Sequence, residues 1–174
     1  MKKLLVFSAT MALFGISATL SATDANAAMQ ASALAGWGFN DGYHFGLGAR
    51  GGLDLPNNFW GGLTYLYHFG NEVISGTGTT STWFLQAEGG YTITMMSDTR
   101  VRPFVGLGVG HTGAPTITAG GLTISNSSTD LAFTPGIAIE KDINPNTFIG
   151  GEGRLNLVSG NTAFGLYASI GIRY

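Results

Sequence analysis

Residues 43–55, YHFGLGARGGLDL, alternate with period two. Tyr43, Phe45, Leu47, Ala49, Gly51, Leu53 and Leu55 fall on one side of an extended chain, and His44, Gly46, Gly48, Arg50, Gly52 and Asp54 on the other. Such alternation specifies a strand with two unlike faces. The same split recurs in 82–94 (Trp83, Leu85, Ala87, Tyr91 and Ile93 against Gln86, Glu88, Gly90 and Thr92), in 101–111 (Val105, Leu107 and Val109 against Arg102, Gly106, Gly108 and Gly110) and in 129–141 (Leu131, Phe133, Ile137 and Ile139 against Asp130, Thr134 and Glu140). A barrel that turned its apolar faces inward would show water mostly glycine, and eight strands could scarcely enclose so many large side chains. With 10% charged residues, the chain also lacks the polar groups of an ordinary aqueous surface. The pattern therefore predicts a barrel turned inside out, with lipid as its outer solvent, where closure leaves no backbone group unpaired in hydrocarbon.

Turn signals set the number of strands. FNDGY (39–43), LPNNF (55–59), MMSDTR (95–100), DINPN (142–146) and VSGNT (158–162) are short connections rich in Gly, Pro, Asn and Asp, and longer ones lie around 70–81 and 112–128. Between them run strands at about 29–39, 43–55, 59–69, 82–94, 101–111, 129–141, 147–158 and 162–174, each near or above the roughly 9–11 residues that cross a bilayer at a tilt. The predicted class is all-β, an eight-stranded antiparallel up-and-down transmembrane β-barrel.

Aromatic residues support two interfacial girdles, with Trp37, Phe39, Tyr43, Phe45, Tyr67, Phe69, Trp83 and Phe164 near one end and Phe59, Tyr91 and Tyr174 near the other. With both termini periplasmic, the tight turns at 56–58, 95–100 and 142–146 face the periplasm and the longer connections face outward.

Residues 1–27 read as a cleaved secretory signal: MKK is a basic start, LLVFSATMALFGISATL an apolar stretch, and Ala25-Asn26-Ala27 a small-x-small cleavage site. The barrel is then 28–174. Loss of Lys2, Lys3 and Asp24 leaves 6 basic and 9 acidic side chains, a net charge of −3, which argues against a nucleic-acid partner. No cysteine is present, so neither a disulfide framework nor a cysteine-borne lipid anchor is available.

Inward parity collects Arg50, Glu88, Glu152 and Arg154 near mid-height, with Asp54, Arg102, Glu140 and Arg173 nearer the periplasmic end. Four cations with four anions predict a self-neutralising ionic network that fills the lumen, because buried charges must be paired. GLGARG (46–51) matches a dinucleotide fingerprint letter for letter, but it lies within a strand and opens no helix, so its glycines read as relief of crowding. His44 and His68 are expected inward at the outer mouth with Asp41 close by, where imidazoles could hold a metal or relay a proton; two histidines fall short of a zinc ligand set, and no cofactor or metal is assigned. His111 is expected outward at a strand end. In PTITAGGLTIS (115–125), Thr116, Ile117 and Thr118 are β-formers, Ala119, Gly120 and Gly121 a turn, and Leu122, Thr123 and Ile124 β-formers again, which predicts a hairpin protruding beyond the membrane.

The alternating strands, the stretch RPFVGLGVG at 102–110 and the terminal ASIGIRY together resemble the small eight-stranded outer-membrane barrels of the OmpA/OmpX type. The resemblance implies a monomer in the outer membrane of a Gram-negative bacterium, among its lipids and lipopolysaccharide. It also implies an assembly signal read by the barrel-assembly machinery, falling on Leu166, Ile170, Ile172 and Tyr174. No peptidoglycan-binding domain is implied. Lipid A deacylase barrels carry a late-strand His-x-Ser pair that is missing here, and for palmitoyltransferase-type barrels His44, Asp41 and Ser81 are a loose match. The expected role is therefore structural and adhesin-like, with a surface ligand engaged through 112–128; a rim lipid-modifying enzyme and a narrow channel are the alternatives.

Overall fold

The computed structural model describes residues 28–40, 43–72, 79–113, 117–119, 122–124, 127–159 and 161–174. Residues 1–27, expected to be a leader, and Asp41, Thr116, Gly120 and Gly121 lie outside the described residues. Eight strands form the barrel: β1 (Ala28–Asn40), β2 (Tyr43–Asp54), β3 (Phe59–Glu72), β4 (Thr79–Tyr91) with its continuation β5 (Ile93–Met96), β6 (Thr99–Gly113), β9 (Ser128–Asn144), β10 (Thr147–Val158) and β11 (Asn161–Arg173). Two short strands, β7 (Ile117–Ala119) and β8 (Leu122–Ile124), pair only with each other. Every neighbouring pair is antiparallel, β4 joins β6, and β1 joins β11 from Gln30↔Arg173 to Phe39↔Phe164, so the sheet closes on itself.

The seam holds to the last residues. The Tyr174 amide donates to the Met29 carbonyl at 2.9 Å, and the Arg173 amide to that of Asn146 at 2.8 Å. Ala28 and Tyr174 share one end of the barrel with the tight connections at 55–59, 96–99 and 144–147, here called the turn end. At Pro56–Asn58 the chain reverses through Asn57 and Asn58 at φ 61° and 64°, a left-handed geometry that asparagine tolerates better than most residues. The Thr92 amide, at the break between β4 and β5, donates to the Asn58 carbonyl at 2.7 Å and ties this turn to the neighbouring strand. In the turn between β5 and β6, the Thr99 hydroxyl donates to Asp98, which with Lys141 3.5 Å away holds that carboxyl below its usual range.

Burial follows the alternation and decides which solvent lies outside. Arg102 and Arg154 are 1% exposed, whereas Leu131 is 83%, Leu107 64% and Ile170 57% exposed. A water-soluble chain would reverse that order. The barrel carries its charges inside and its aliphatic side chains outside, the arrangement of a protein dissolved in lipid.

Two expectations fail at the loop end, where the β1–β2 register shifts between Trp37 and Asn40. Gly38 and Phe39 lie opposite the single residue His44, a bulge that resets side-chain direction. Tyr43, expected in the outer girdle, turns into the lumen and is 2% exposed; its inward position needs Gly38, since a Cβ there would lie 2.6 Å from that of Tyr43. His44, expected inward, instead meets the exposed Trp37 edge-on at 5.9 Å. The other loop-end aromatics keep their places, with Phe39 stacked on Phe164 at 6.0 Å and Phe45 on Phe69 at 6.1 Å.

Candidate functional site

The lumen is built in layers. At mid-height, Arg50 from β2, Glu88 from β4, and Glu152 and Arg154 from β10 form a ring of alternating sign. Arg50 meets Glu88 at 2.9 Å and Glu152 at 2.6 Å, while Arg154 meets Glu88 at 3.1 Å and pairs with Glu152 as well. No side chain of the four is more than 4% exposed. Two carboxylates and two guanidiniums cancel, which is how ionised groups persist in an interior of low dielectric.

Toward the turn end a second set forms a chain: Asp54 to Arg102 at 3.5 Å, Arg102 to Glu140 at 2.9 Å, Glu140 to Arg173 at 2.5 Å, Arg173 to Asp142, and Asp142 to Arg100 at 2.7 Å. It too sums to zero. Aromatic rings join the layers, with Trp60 lying between Arg102 at 4.7 Å and Arg50 at 5.5 Å, and Phe104 beneath Arg50 and Arg154 at 5.3 and 5.2 Å. Arg173 covers Phe148 at 4.1 Å. Each of these guanidiniums thus lies against a π face as well as a carboxylate, a contact that gains strength where water is absent.

Above the ring the chemistry changes. Gln86 donates to Thr134 at 2.6 Å and Thr134 to Asn156 at 2.9 Å. Beyond them Leu34, Tyr43, Leu66, Phe84, Ala132, Ala163 and Tyr167 form an apolar layer around His68, with Tyr43 stacked on Phe84 at 5.7 Å. The His68 Nδ1 lies 3.0 Å from the His44 carbonyl, which can only accept, so Nδ1 carries the proton. Its Nε2 is then free to accept from the Tyr167 hydroxyl at 2.9 Å. Both ring nitrogens have fixed partners.

All eight charged residues expected inward, Arg50, Asp54, Glu88, Arg102, Glu140, Glu152, Arg154 and Arg173, meet opposite charge in these two sets. The His44 and His68 rings do not come together; what links the two residues is a main-chain carbonyl, and Asp41 is outside the described residues. His111 stacks on Trp83 at 5.4 Å and lies 2.7 Å from the Thr129 hydroxyl. Among the described residues, no three His, Cys, Asp or Glu side chains gather as a metal would need. GLGARG serves the lumen: a Cβ on Gly46 would lie 2.9 Å from the His68 ring, and one on Gly48 2.5 Å from the Tyr65 carbonyl oxygen.

Arg100 and Asp142 escape the sequence reading because both fall in segments assigned to turns. Parity is the signal that could find them, since 100 shares a face with 102 and 142 with 140. The buried Trp60, Phe104, Phe148 and Tyr167 have no role in the sequence reading, although parity places them on the inward face with the charges. Of the described hairpin, Ile117↔Ile124, Thr118↔Thr123 and Ala119↔Leu122 pair antiparallel, apart from the barrel sheet.

A family model described as Autotransporter beta-domain matches residues 6–159. The chain belongs to the autotransporter beta-domain family. That family differs from the OmpA/OmpX type that the sequence resembles, and the solved structures to which the chain is similar are small outer-membrane barrels. The domain superposes on the Neisserial surface protein NspA at a TM-score of 0.65 with 15% identity, over 85% of this chain and 97% of that one. A major outer membrane protein from Thermus thermophilus also gives 0.65, at 14% identity over 85% and 99% of the two chains. Ail, the attachment invasion locus protein of Yersinia pestis, gives 0.58 at 14% identity over 85% and 97%. No curated protein matches the sequence significantly. The domain is thus a small eight-stranded outer-membrane β-barrel.

Proposed function

We propose that this outer-membrane domain is a non-conducting, non-enzymatic scaffold that presents its 112–128 connection as a docking edge for a surface partner. The observation that carries the reading is the β7–β8 ladder. Its three backbone pairs stand apart from the barrel sheet, and a free two-stranded ribbon offers unpaired N–H and C=O groups to which another strand can add. With the termini and tight turns in the periplasm, that ribbon faces outward, consistent with an adhesin-like role.

Charge narrows the partner. The segments 39–43, 70–81, 112–128 and 158–162 contain no Lys or Arg, so this end has no cations for a polyanion. Ail has been seen with the heparin analogue sucrose octasulfate. That chemistry has no counterpart here, and the fitting partner is a protein strand rather than a sulfated glycan. The layered lumen supports the absence of conduction, and the two fixed partners of His68 argue against a rim enzyme that uses it as a base.

Replacing 115–125 with a short Gly-Ser turn is expected to leave barrel folding unchanged while abolishing binding to host cells or matrix proteins. Gel mobility with and without heating reads folding, and a cell-binding assay reads function. Full binding by the shortened barrel would overturn the docking role.

A further inference from the structure

The turn end holds a cavity of about 470 Å³ lined by Ala28, Asp54, Asn58, Thr92, Arg100, Arg173 and Tyr174, among others. Ala28 begins β1 and pairs in register with Asp54, the last residue of β2. Asp54 is the weakly held member of the ion-pair chain. Its ion pair to Arg102 is 3.5 Å long, and its side chain is 27% exposed, while Glu140 sits between two guanidiniums at 2.9 and 2.5 Å. The acidic end of the chain is therefore open on the side from which β1 enters.

We infer that leader removal makes a structural cation: the α-ammonium of Ala28 pairs with Asp54 and extends the ion-pair chain at the turn end. The inference rests on the reading of 1–27 as a leader cut after Ala27. Hydrolysis of the Ala27–Ala28 amide consumes one water, leaves a carboxylate on Ala27, and leaves an amine on Ala28 that takes up a proton at neutral pH. An uncut amide nitrogen carries no charge and cannot serve. The charged or titratable groups around the new amine are Asp54 on β2, Arg100 and Arg102 on β6, Arg173 on β11, and the Tyr174 phenol and α-carboxylate, the last beside Met29 on the closing seam. Both Arg100 and Arg173 are engaged by Asp142, and of the two anions that flank the amine, Asp54 is the one directly in register with Ala28, whereas Tyr174 is in line with Met29.

An α-amine titrates near about 8 in the absence of partners, and an opposite charge within hydrogen-bonding range favours its protonated form. Because the folded value is raised, the pair contributes stability fully below about pH 8 and loses it as pH rises through the folded value. The mature chain has one other amine, Lys141, 64% exposed, which serves as an internal reference.

The test uses full-length protein exported with its own leader and recovered from outer membranes. The N-terminal residue is read by mass spectrometry, and both amines are labelled at pH 7 with a small acylating reagent. The Ala28 amine should react roughly tenfold more slowly in the wild type than in Asp54→Asn, with Lys141 unchanged between them. The rate–pH profile of the wild type alone should give an amine midpoint above the ordinary range, so the inference stays testable if Asp54→Asn fails to fold. A chain that begins elsewhere overturns the leader reading and the pairing with it. A chain that begins at Ala28 but reacts at the same rate in both backgrounds, or titrates near about 8, overturns the pairing alone.

Discussion

Glu152→Ala should destabilise the barrel by about 3–5 kcal/mol, the cost expected when one partner of a buried ion pair is removed. In the mid-height ring Glu152 accepts from Arg154 Nε at 2.8 Å and meets Arg50 at 2.6 Å. Without it, two buried guanidiniums share Glu88 alone, and one positive charge has neither a counterion nor water. The effect belongs to charge balance rather than to lost volume. The double variant Glu152→Ala/Arg154→Met, which removes one charge of each sign, should therefore cost less than the single variant. Denaturant unfolding in detergent micelles or lipid reads both. A single-variant loss below about 1 kcal/mol, or a double variant worse than the single, would show that the ring is not the electrostatic core.

Deleting Tyr174, or replacing it with Asp, should abolish insertion and leave secreted, unfolded protein. Leu166, Ile170, Ile172 and Tyr174 lie on the outward face of the closing strand, and Tyr174 is 77% exposed. Its side chain therefore fills no internal space, and replacing it should matter chiefly through what meets it from outside. The Tyr174 amide bond to Met29 involves the backbone alone, so Tyr174→Asp can keep it while placing a charge in the lower girdle. Heat-modifiable mobility of the membrane fraction measures the outcome. Normal insertion of both variants would mean that these four residues are not the assembly signal.

The strands are legible because period two has only one reading once charge is too scarce for water. The inward positions of Arg50, Glu88, Arg102, Glu140, Glu152 and Arg154 follow from parity alone. Parity fails where the chain does not keep it: one bulge near Trp37 and Asn40 sends Tyr43 inward and His44 outward. A bulge depends on pairing with another strand, which local alternation does not encode. Strand length is also longer than turn signals suggest. β9 runs 17 residues, Ser128–Asn144, beyond what a bilayer requires, and that extension carries Asp142 to Arg100 and Arg173. Parity places Trp60 and Phe104 inward as well; what the sequence does not show is that their rings lie against guanidiniums from other strands.

Pro135 marks another limit of alternation. It faces Val105 of β6, but the β9–β10 ladder passes from Arg154↔Gly136 to Leu157↔Phe133 without it. A proline has no N–H to give, and a closed barrel has no edge on which to hide one. The Thr134 hydroxyl bond to Asn156 crosses the same gap from the lumen side.

Single-channel recording in planar bilayers tests most directly the proposed sealing of the lumen by its charge and aromatic layers. If the paired guanidiniums and carboxylates, with the Tyr43, Phe84 and Tyr167 layer above them, close the lumen to ions, purified wild-type barrel should give no stable current steps. A steady, reproducible conductance from the wild-type protein would contradict the account.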